Sequence, residues 1–313
     1  MNPNTRIDVH HHPSPPSYAS TRGQDKNWKP GDDDWSVQKS LDSMDGGGVA
    51  TSMLSLPHAA QIWPADRAEA RRLARDWNEF MARMASDHPG RFGVFAALPI
   101  LDIEGSLLEI AHAFDVLRAD GVTLMTNIGD RWLGDAHYAP VFEELNRRRA
   151  VVYTHPVAPD CCRGLLANTH DSVIEYATDT TRAIAQLLFS GSAARYPDIR
   201  FIFSHAGGTM PFLAQRFVNA HRFSKGDAKA AVPDGVLPAL NRFYYDTAQA
   251  AHPCAMSSFR QVVQLTQLLF GTDFPYVNAE RTAGGLAGCG FTDAELQGIY
   301  RGNALRLFPR LSA

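Results

Sequence analysis

The chain has 313 residues, of which 45% are hydrophobic and 20% are charged, and its formal net charge at pH 7 is −3. This composition is ordinary for a globular protein. A chain of this length buries enough apolar surface in one core to be stable without disulfide bonds or structural metals. A mildly acidic protein does not favour nucleic-acid or anionic-membrane surfaces, so we exclude both as partners.

Eight short apolar runs recur along the chain, each about as long as a buried parallel strand and rich in Val, Ile, Leu and Phe. In chain order they are residues 6–10, 49–56, 92–98, 122–126, 150–155, 199–205, 242–247 and 268–273.

Longer amphipathic stretches separate these runs, and we predict helices over residues 66–88, 103–119, 138–149, 172–190, 211–222, 255–264 and 293–300. Thr292 or Asp293 is a candidate N-cap of the last of them, with Glu295 in its first turn. Eight strands that alternate with helices indicate a parallel sheet, and eight is the number of the (β/α)8 barrel. We therefore predict one α/β domain over residues 1–313, a TIM barrel. A doubly wound sheet is the alternative, but no Gly-x-Gly-x-x-Gly follows the first strand to support dinucleotide binding.

Two polar segments interrupt the alternation. Residues 13–45 are predicted as a long loop insertion after strand 1, an excursion over the barrel mouth that carries Trp28 and Trp35. Residues 225–238 are predicted as a loop between strands 6 and 7. Long loops inside compact domains tend to serve as lids or binding loops.

The cysteines and the N-terminus bear on the compartment. Adjacent Cys161 and Cys162 rarely bridge each other, and no cysteine spacing is that of a zinc knuckle. Free thiols indicate a reducing cytosol. The N-terminus lacks a basic region followed by an apolar run, and no window approaches the about 18 apolar residues of a membrane span. We therefore expect a cytoplasmic protein without a membrane partner.

The first strand ends in a histidine run. Alternate residues of a strand point to the same side, so His10 and His12 converge while His11 faces away. Taken alone, the run is equally consistent with a tag remnant or chance. The ends of three further strands favour a site, because they carry His155, His205 and Asp273.

In a barrel all strand C-termini open onto one face, and that face holds the active site. Taken singly, each residue can be explained by a structural role: the histidines as packed core residues, and Asp273 as a helix cap. Together they predict a site in which His10, His12, His155 and Asp273 bind one divalent metal. Zn²⁺ is the first expectation and Mn²⁺ the second. His205 is suited to acid–base work beside it, because the histidine side chain in general changes its charge near neutral pH.

The chain resembles the amidohydrolase superfamily, in the branch typified by aminocarboxymuconate-semialdehyde decarboxylase. The shared motifs are Asp-Val-His-His-His (8–12), Thr-His-Pro (154–156), Ser-His-Ala-Gly-Gly (204–208), Gly-Thr-Asp-Phe-Pro (271–275) and Gly-Asn-Ala-Leu-Arg-Leu-Phe (302–308). Residues 48–56, 119–126 and 132–135 are similar to the 6-methylsalicylate decarboxylase group. Some hydroxybenzoate decarboxylases of the branch have glutamates where this chain has His10 and Gly208, so their proton-shuttle scheme does not transfer directly.

The resemblance implies a non-oxidative decarboxylase of a phenolic acid, such as 6-methylsalicylate or a hydroxybenzoate, with Asp273 or His205 delivering the proton. It also implies a homodimer or higher homo-oligomer, and a substrate-carboxylate grip by Arg216 from its own or the neighbouring subunit. A guanidinium suits bidentate carboxylate binding, although a surface salt bridge explains Arg216 equally well.

Several other residues are candidate contacts to an aromatic carboxylate substrate. Trp28, Trp35, Phe274 and Tyr276 are suited to packing on an aromatic ring, with lid or core packing as the equal alternative. His58, after strand 2, is a candidate at the mouth, with a structural loop histidine as the alternative.

Two rival functions remain open. A metal hydroxide attacking a lactone, amide or C–C bond, with Asp273 as base, would use the same ligands. A non-catalytic metal-binding barrel that serves as an assembly subunit is the other alternative. His205 beside an open coordination position argues against the second.

Overall fold

The computed structural model describes residues 5–14, 35–56, 63–129 and 131–312. Eight parallel strands form one sheet whose spatial order follows the chain. They are β1 (Arg6–His11), β2 (Val49–Leu54), β3 (Phe92–Ala97), β4 (Gly121–Met125), β5 (Val151–His155), β6 (Arg200–Phe203), β7 (Tyr244–Asp246) and β8 (Leu268–Leu269). A two-stranded antiparallel hairpin, Asn127–Ile128 with Arg131–Trp132, follows β4.

The sheet curls so that its first and last strands meet. The Val9 amide donates to the Phe270 carbonyl at 2.9 Å, and the His12 amide donates to the Phe274 carbonyl at 2.9 Å. The nearly closed sheet, with helices between its strands, confirms the predicted (β/α)8 barrel.

Thirteen α-helices are present in the described part of the chain. They are α1 (Val37–Gly46), α2 (Arg67–Asp87), α3 (Ile103–Asp115), α4 (Ala139–Arg147), α5 (Glu175–Phe189), α6 (Ser192–Arg195), α7 (Met210–Phe223), α8 (Gly226–Ala230), α9 (Val236–Leu240), α10 (Pro253–Phe259), α11 (Ala279–Ala287), α12 (Asp293–Gln297) and α13 (Asn303–Leu307). One π-helical turn, Gly298–Gly302, joins α12 to α13. No helix among the described residues is long and apolar enough to cross a membrane.

The strands separate two apolar layers. Inside the barrel, the rings of Phe95 and Tyr153 stack at 5.3 Å between centroids, and Phe308 packs on Phe95 from the C-terminal segment. Outside it, Trp77 of α2 is fully buried in the larger cluster between strands and helices. Each fully buried large side chain contributes about 1.5–3 kcal/mol relative to its exposed state. Packing on both faces holds the strands, and therefore the residues at their C-terminal ends, in fixed positions.

Side-chain caps set several helix boundaries. Asp66 accepts a hydrogen bond from the Glu69 amide at the start of α2. Thr292 caps α12 as one of the two predicted candidates, and Glu295 bonds back to the Thr292 amide in a capping box. Both caps satisfy amides that the first turn of a helix leaves without a partner.

Three segments differ from the prediction. The last part of the expected 13–45 excursion is helix α1, capped by Ser36, while residues 15–34 lie outside the described residues. The expected 225–238 loop contains α8 and the start of α9. Helix α11 was not predicted, because Gly284 and Gly285 lower its helix propensity. Gly285 is required there, since a Cβ would lie 2.1 Å from the Ala251 carbonyl oxygen.

Candidate active site

The four predicted metal ligands lie together at the C-terminal mouth of the barrel. His10 and His12 come from β1 and the residue after it, His155 ends β5, and Asp273 follows β8. One ligand atom from each lies within 4.8 Å of the other three, and all four side chains are buried. Strands distant in sequence thus deliver three imidazoles and one carboxylate to one point.

The donor atoms of His10, His12 and Asp273 are spaced like atoms that share a cation. The Nε2 atoms of His10 and His12 lie 3.0 Å apart. Oδ1 of Asp273 lies 3.1 Å from Nε2 of His10 and 3.2 Å from Nε2 of His12. Donor atoms bound at about 2.0–2.2 Å to one zinc ion stand about 3 Å from each other.

A second set of contacts orients the three imidazoles. Nδ1 of His10 lies 2.9 Å from Oδ2 of Asp246, and Nδ1 of His12 lies 3.0 Å from the Ser55 carbonyl oxygen. Nδ1 of His155 lies 2.9 Å from the Pro156 carbonyl oxygen. Because each Nδ1 faces an acceptor, the neutral imidazole of each residue would carry its hydrogen there and offer the Nε2 lone pair to a metal.

The electrostatics of the group favour a cation. Burial lowers the pKa of His10, but the adjacent carboxylates of Asp246 and Asp273 outweigh it and raise that pKa to about 10. Burial holds the pKa values of His12 and His155 below the usual histidine range. Burial raises the pKa of Asp273, but His10, His12 and His205 together outweigh it and hold that pKa well below its usual range. Two buried carboxylates thus stabilise positive charge at this point.

These residues fit a divalent metal. Oδ1 of Asp273 is buried and accepts no hydrogen bond from any described residue. A buried acceptor without a partner is costly, and a cation among the four donors satisfies it. Three imidazoles and one carboxylate suit Zn²⁺ or Mn²⁺ and leave coordination positions for water or substrate.

His205 stands directly beside the ligand group. Its ring centroid is 5.3 Å from that of His10, and its Nε2 lies 3.5 Å from Oδ2 of Asp273. Gly208 lies three residues after His205, at the position where some hydroxybenzoate decarboxylases have a glutamate. A Cβ there would lie 2.0 Å from the Ala177 carbonyl oxygen, so a larger residue does not fit.

Strained backbone is concentrated here. His205, Ala206, Gln249 and Asp273 all have positive φ angles, between 53° and 69°. Non-glycine residues adopt this region uncommonly, and such strain persists where the surrounding structure holds it in place.

A cavity of about 720 Å³ opens above the site. Its lining combines His155, His205, Gln249 and Asp273 on the floor with Tyr176, Phe212 and Tyr276 on the walls. A mainly apolar cavity with a few convergent polar groups is the usual form of a small-molecule site.

The sequence matches the family described as Amidohydrolase over residues 7–310. The chain belongs to this family. The match spans nearly the whole barrel, so it includes every described strand and all four residues of the ligand group.

Three relatives illustrate the branch of this amidohydrolase. Decarboxylase yanB of Aspergillus niger is 35% identical, with 97% of this chain and 88% of the relative covered. The 6-methylsalicylic acid decarboxylase acuB of Aspergillus aculeatus is 33% identical, with 98% and 96% covered. A solved dihydroxybenzoic acid decarboxylase of Polaromonas sp. JS666, with bound manganese and an inhibitor, has a TM-score of 0.80, 24% identity, and 99% and 98% covered. The predicted resemblance to the decarboxylase branch is confirmed.

Of the other predicted contacts, Tyr276 lies on the wall of the cavity of this amidohydrolase. Arg216 is exposed on α7. Trp35 donates to Ser40 Oγ at 3.0 Å, and Phe274 stacks on His11 at 4.5 Å between ring centroids. None of the three is part of the cavity lining found among the described residues. Trp28 and His58 lie outside the described residues.

Sequence reasoning missed two polar residues of the site. Asp246 ends β7 and contacts His10 and His205, and Gln249 donates from its Nε2 to Oδ2 of Asp273 at 2.9 Å. Asp246 had a usable signal, since it is a carboxylate at the end of a predicted strand. Gln249 had none, because its role depends on a left-handed turn.

Proposed function

We propose that this amidohydrolase is a metal-dependent, non-oxidative decarboxylase of a phenolic carboxylic acid, such as 6-methylsalicylate or a hydroxybenzoate. The observation that carries the proposal is the pair formed by Oδ2 of Asp273 and Nε2 of His205, 3.5 Å apart at the floor of the cavity and beside the ligand group. The names of the relatives support it, since they are decarboxylases of aromatic acids over nearly the full chain.

A divalent metal at His10, His12, His155 and Asp273 would supply Lewis-acid polarisation of the substrate oxygens next to the departing carboxylate. Zn²⁺ is our first assignment because the donors are imidazoles and one carboxylate. Manganese in the related Polaromonas enzyme supports Mn²⁺ as the second.

The protein's own groups manage the proton. Oδ1 of Asp273 faces the ligand group, while Oδ2 faces His205 and the cavity. A proton carried by Nε2 of His205 or by Oδ2 of Asp273 is placed to reach the ring carbon that bears the carboxylate. The new C–H bond takes an electron pair from the ring. The C–C bond to the carboxylate then breaks, its electrons restore the aromatic ring, and carbon dioxide leaves.

The apolar walls of the cavity suit an aromatic ring. Tyr176, Phe212 and Tyr276 flank the polar floor, and the cavity of about 720 Å³ has room for a substituted benzoate. Ring packing on these walls excludes water from the floor and holds the reacting carbon near Asp273.

Helix α7 supports the proposal of a homodimer. Phe212, Arg216 and Phe223 are spaced by four and seven residues, so they lie on one face of the helix. The two phenylalanines are 85% and 77% exposed. Arg216 has no ion-pair partner in the part of the chain that the structure describes. We propose that this face packs on a second copy and that Arg216 grips the substrate carboxylate of the neighbouring subunit.

The test is a panel assay of metal-loaded protein on 6-methylsalicylate, salicylate, 2,3- and 2,6-dihydroxybenzoate and orsellinate. Chromatography measures the phenol formed from each acid. We expect metal-dependent phenol from at least one acid and none from Asp273→Asn, with the exposed Asp42→Asn as the matched control. No phenol from any acid, with metal bound, would overturn the proposal and favour hydrolysis of a lactone or amide.

A further inference from the structure

Gln249 forms part of the cavity wall in a conformation that glutamine rarely adopts. It lies in the loop between β7 and α10, exposed to the cavity, with a φ of 56°. A glycine would adopt this left-handed conformation without strain. The chain therefore keeps a residue with a strained backbone, and with a polar side chain, at a position that lines the cavity.

The turn around Gln249 is tied to the site on both sides. The Ala248 amide donates to Oδ1 of Asp246 at 3.0 Å. The hydroxyl of Thr247 donates to the Gly271 carbonyl at 3.1 Å and accepts from the Gly271 amide at 3.0 Å. Since Gly271 precedes Asp273 by two residues, the turn and the metal-ligand segment are one hydrogen-bonded unit.

The side chain of Gln249 contacts one of the two carboxylate oxygens of Asp273, so the two oxygens have different surroundings. Its Nε2 donates to Oδ2 at 2.9 Å, on the side of His205. The other oxygen, Oδ1, lies 3.1 Å from Nε2 of His10 and takes no hydrogen bond from a described residue. An ionised carboxylate only accepts hydrogen bonds, so the NH₂ end of the amide must face it.

We infer that Gln249 is a positioning residue for Asp273. Its amide holds Oδ2 towards His205 and the cavity, so that only Oδ1 turns to the metal position. Without this hydrogen bond, both oxygens are free to rotate towards the cation, and the oxygen that faces the substrate is lost. The inference deepens the proposed function, since it rests on Asp273 as a metal ligand whose second oxygen faces His205 and the cavity.

A residue that acts through Asp273 affects the chemical step more than substrate binding. Removing the amide should lower kcat about ten- to a hundredfold, as is typical of partners that orient metal ligands. KM should change little, because an interaction that matters only in the transition state leaves ground-state binding intact.

Two variants separate this role from a structural one. Gln249→Met keeps the length and the strain but removes the amide, and Gln249→Gly removes both the amide and the strain. If Gln249 positions Asp273, both variants lose kcat, yet Gln249→Gly stays at least as stable as the parent, because glycine adopts a positive φ freely. The matched control is Arg118→Gly, which relieves the same kind of strain at a φ of 59° away from the cavity lining.

The second readout is the visible absorption of the Co²⁺-substituted enzyme. The inference expects changed Co²⁺ bands in both Gln249 variants, because the carboxylate binding mode changes, and unchanged bands in Arg118→Gly. Unchanged kcat or unchanged bands in Gln249→Gly would overturn it. A kcat loss that merely follows a lower unfolding temperature would also overturn it. If the parent decarboxylates none of the acids, the proposed function fails, and the Co²⁺ bands alone decide the role of Gln249.

Discussion

Nδ1 of His10 and Oδ2 of Asp246 lie 2.9 Å apart, and neither side chain is accessible to solvent. The other oxygen of Asp246 accepts a hydrogen bond from the His205 amide at 2.9 Å. One buried carboxylate at the end of β7 thus orients a predicted metal ligand and places the neighbouring His205, the proposed acid–base residue. Asp246, at the end of β7, thus contacts both His10 of β1 and His205, which follows β6.

Asp246→Asn should weaken metal binding and activity together. The amide has lost the charge that favours a cation at His10, and half of its hydrogen-bonding atoms are donors. Partners of this kind typically change metal affinity or activity about ten- to a hundredfold. Competition with a chromogenic chelator measures the affinity, with exposed Asp42→Asn as the control. An Asp246→Asn protein that binds metal as tightly as the parent would contradict the role assigned to Asp246.

Metal removal should lower the unfolding temperature without unfolding the barrel. The ligands come from three strands held by the apolar core, so the fold does not depend on the metal. A metal that binds only the native state at a hundred times its Kd adds about 2.7 kcal/mol of stability. Calorimetry of chelator-treated and reloaded protein measures the shift. His155→Ala should remove most of the difference, and a full shift in that variant would place the stabilising metal elsewhere.

Asp179→Ala should destabilise the turn after β4. Asp179 is fully buried and accepts hydrogen bonds from Thr126 Oγ1, from Asn127 Nδ2 at 2.7 Å and from Trp132 Nε1 at 2.6 Å. Alanine leaves the Thr126 hydroxyl and the Trp132 indole without this acceptor, and Asn127 Nδ2 keeps only the Val157 carbonyl, at a cost of about 3 kcal/mol. Denaturant unfolding followed by tryptophan fluorescence measures the loss.

The milder Asp179→Asn variant serves as the control, since its amide oxygen still accepts. It should lose less stability than Asp179→Ala. Equal losses in the two variants would mean that packing, and not the hydrogen bonds, stabilises the turn.

The ion pair between Arg71 and Asp102 should stabilise the protein only above acidic pH. Nε of Arg71 lies 2.5 Å from Oδ2 of Asp102, and this hydrogen bond holds the pKa of Asp102 below its usual range. A depressed native pKa adds stability above the unfolded-state pKa of about 3.9 and loses it as the pH falls through the native value. The stability difference between the parent and Asp102→Asn should therefore shrink as the pH falls from about 5 through the lowered native pKa of Asp102. A difference that is constant over this range would contradict the ion-pair role.

The sequence predicted the barrel because its strands are short, apolar and regularly separated. It failed for helices whose stability comes from contacts. Helix α1 is polar and is anchored by Ser40, whose Oγ lies 2.9 Å from Nε2 of His11. Helix α11 contains Gly284 and Gly285, and its packing requires the glycine that its propensity opposes. Tertiary contacts outweighed local propensity in both.

The candidate site likewise contains residues that the sequence predicts and contacts that only the tertiary structure reveals. His10, His12, His155 and Asp273 were predictable because each ends a strand, and the barrel brings strand ends together. The contact from Asp246 to His10 spans 236 residues and depends on the closed sheet. Phe274 was a candidate for packing on the substrate ring, with core packing as the equal alternative, and its ring stacks on that of His11. Side-chain direction after a strand ends cannot be derived from strand alternation.

The most direct test of the decarboxylase proposal is the mass of the product formed in isotopically labelled water. The enzyme is loaded with Zn²⁺ or Mn²⁺ and given the acid that it turns over, once in D₂O and once in H₂¹⁸O. We predict a phenol that carries one deuterium at the carbon that lost the carboxylate, and no ¹⁸O in that phenol. A product that carries ¹⁸O from water would contradict decarboxylation and show that this site hydrolyses its substrate.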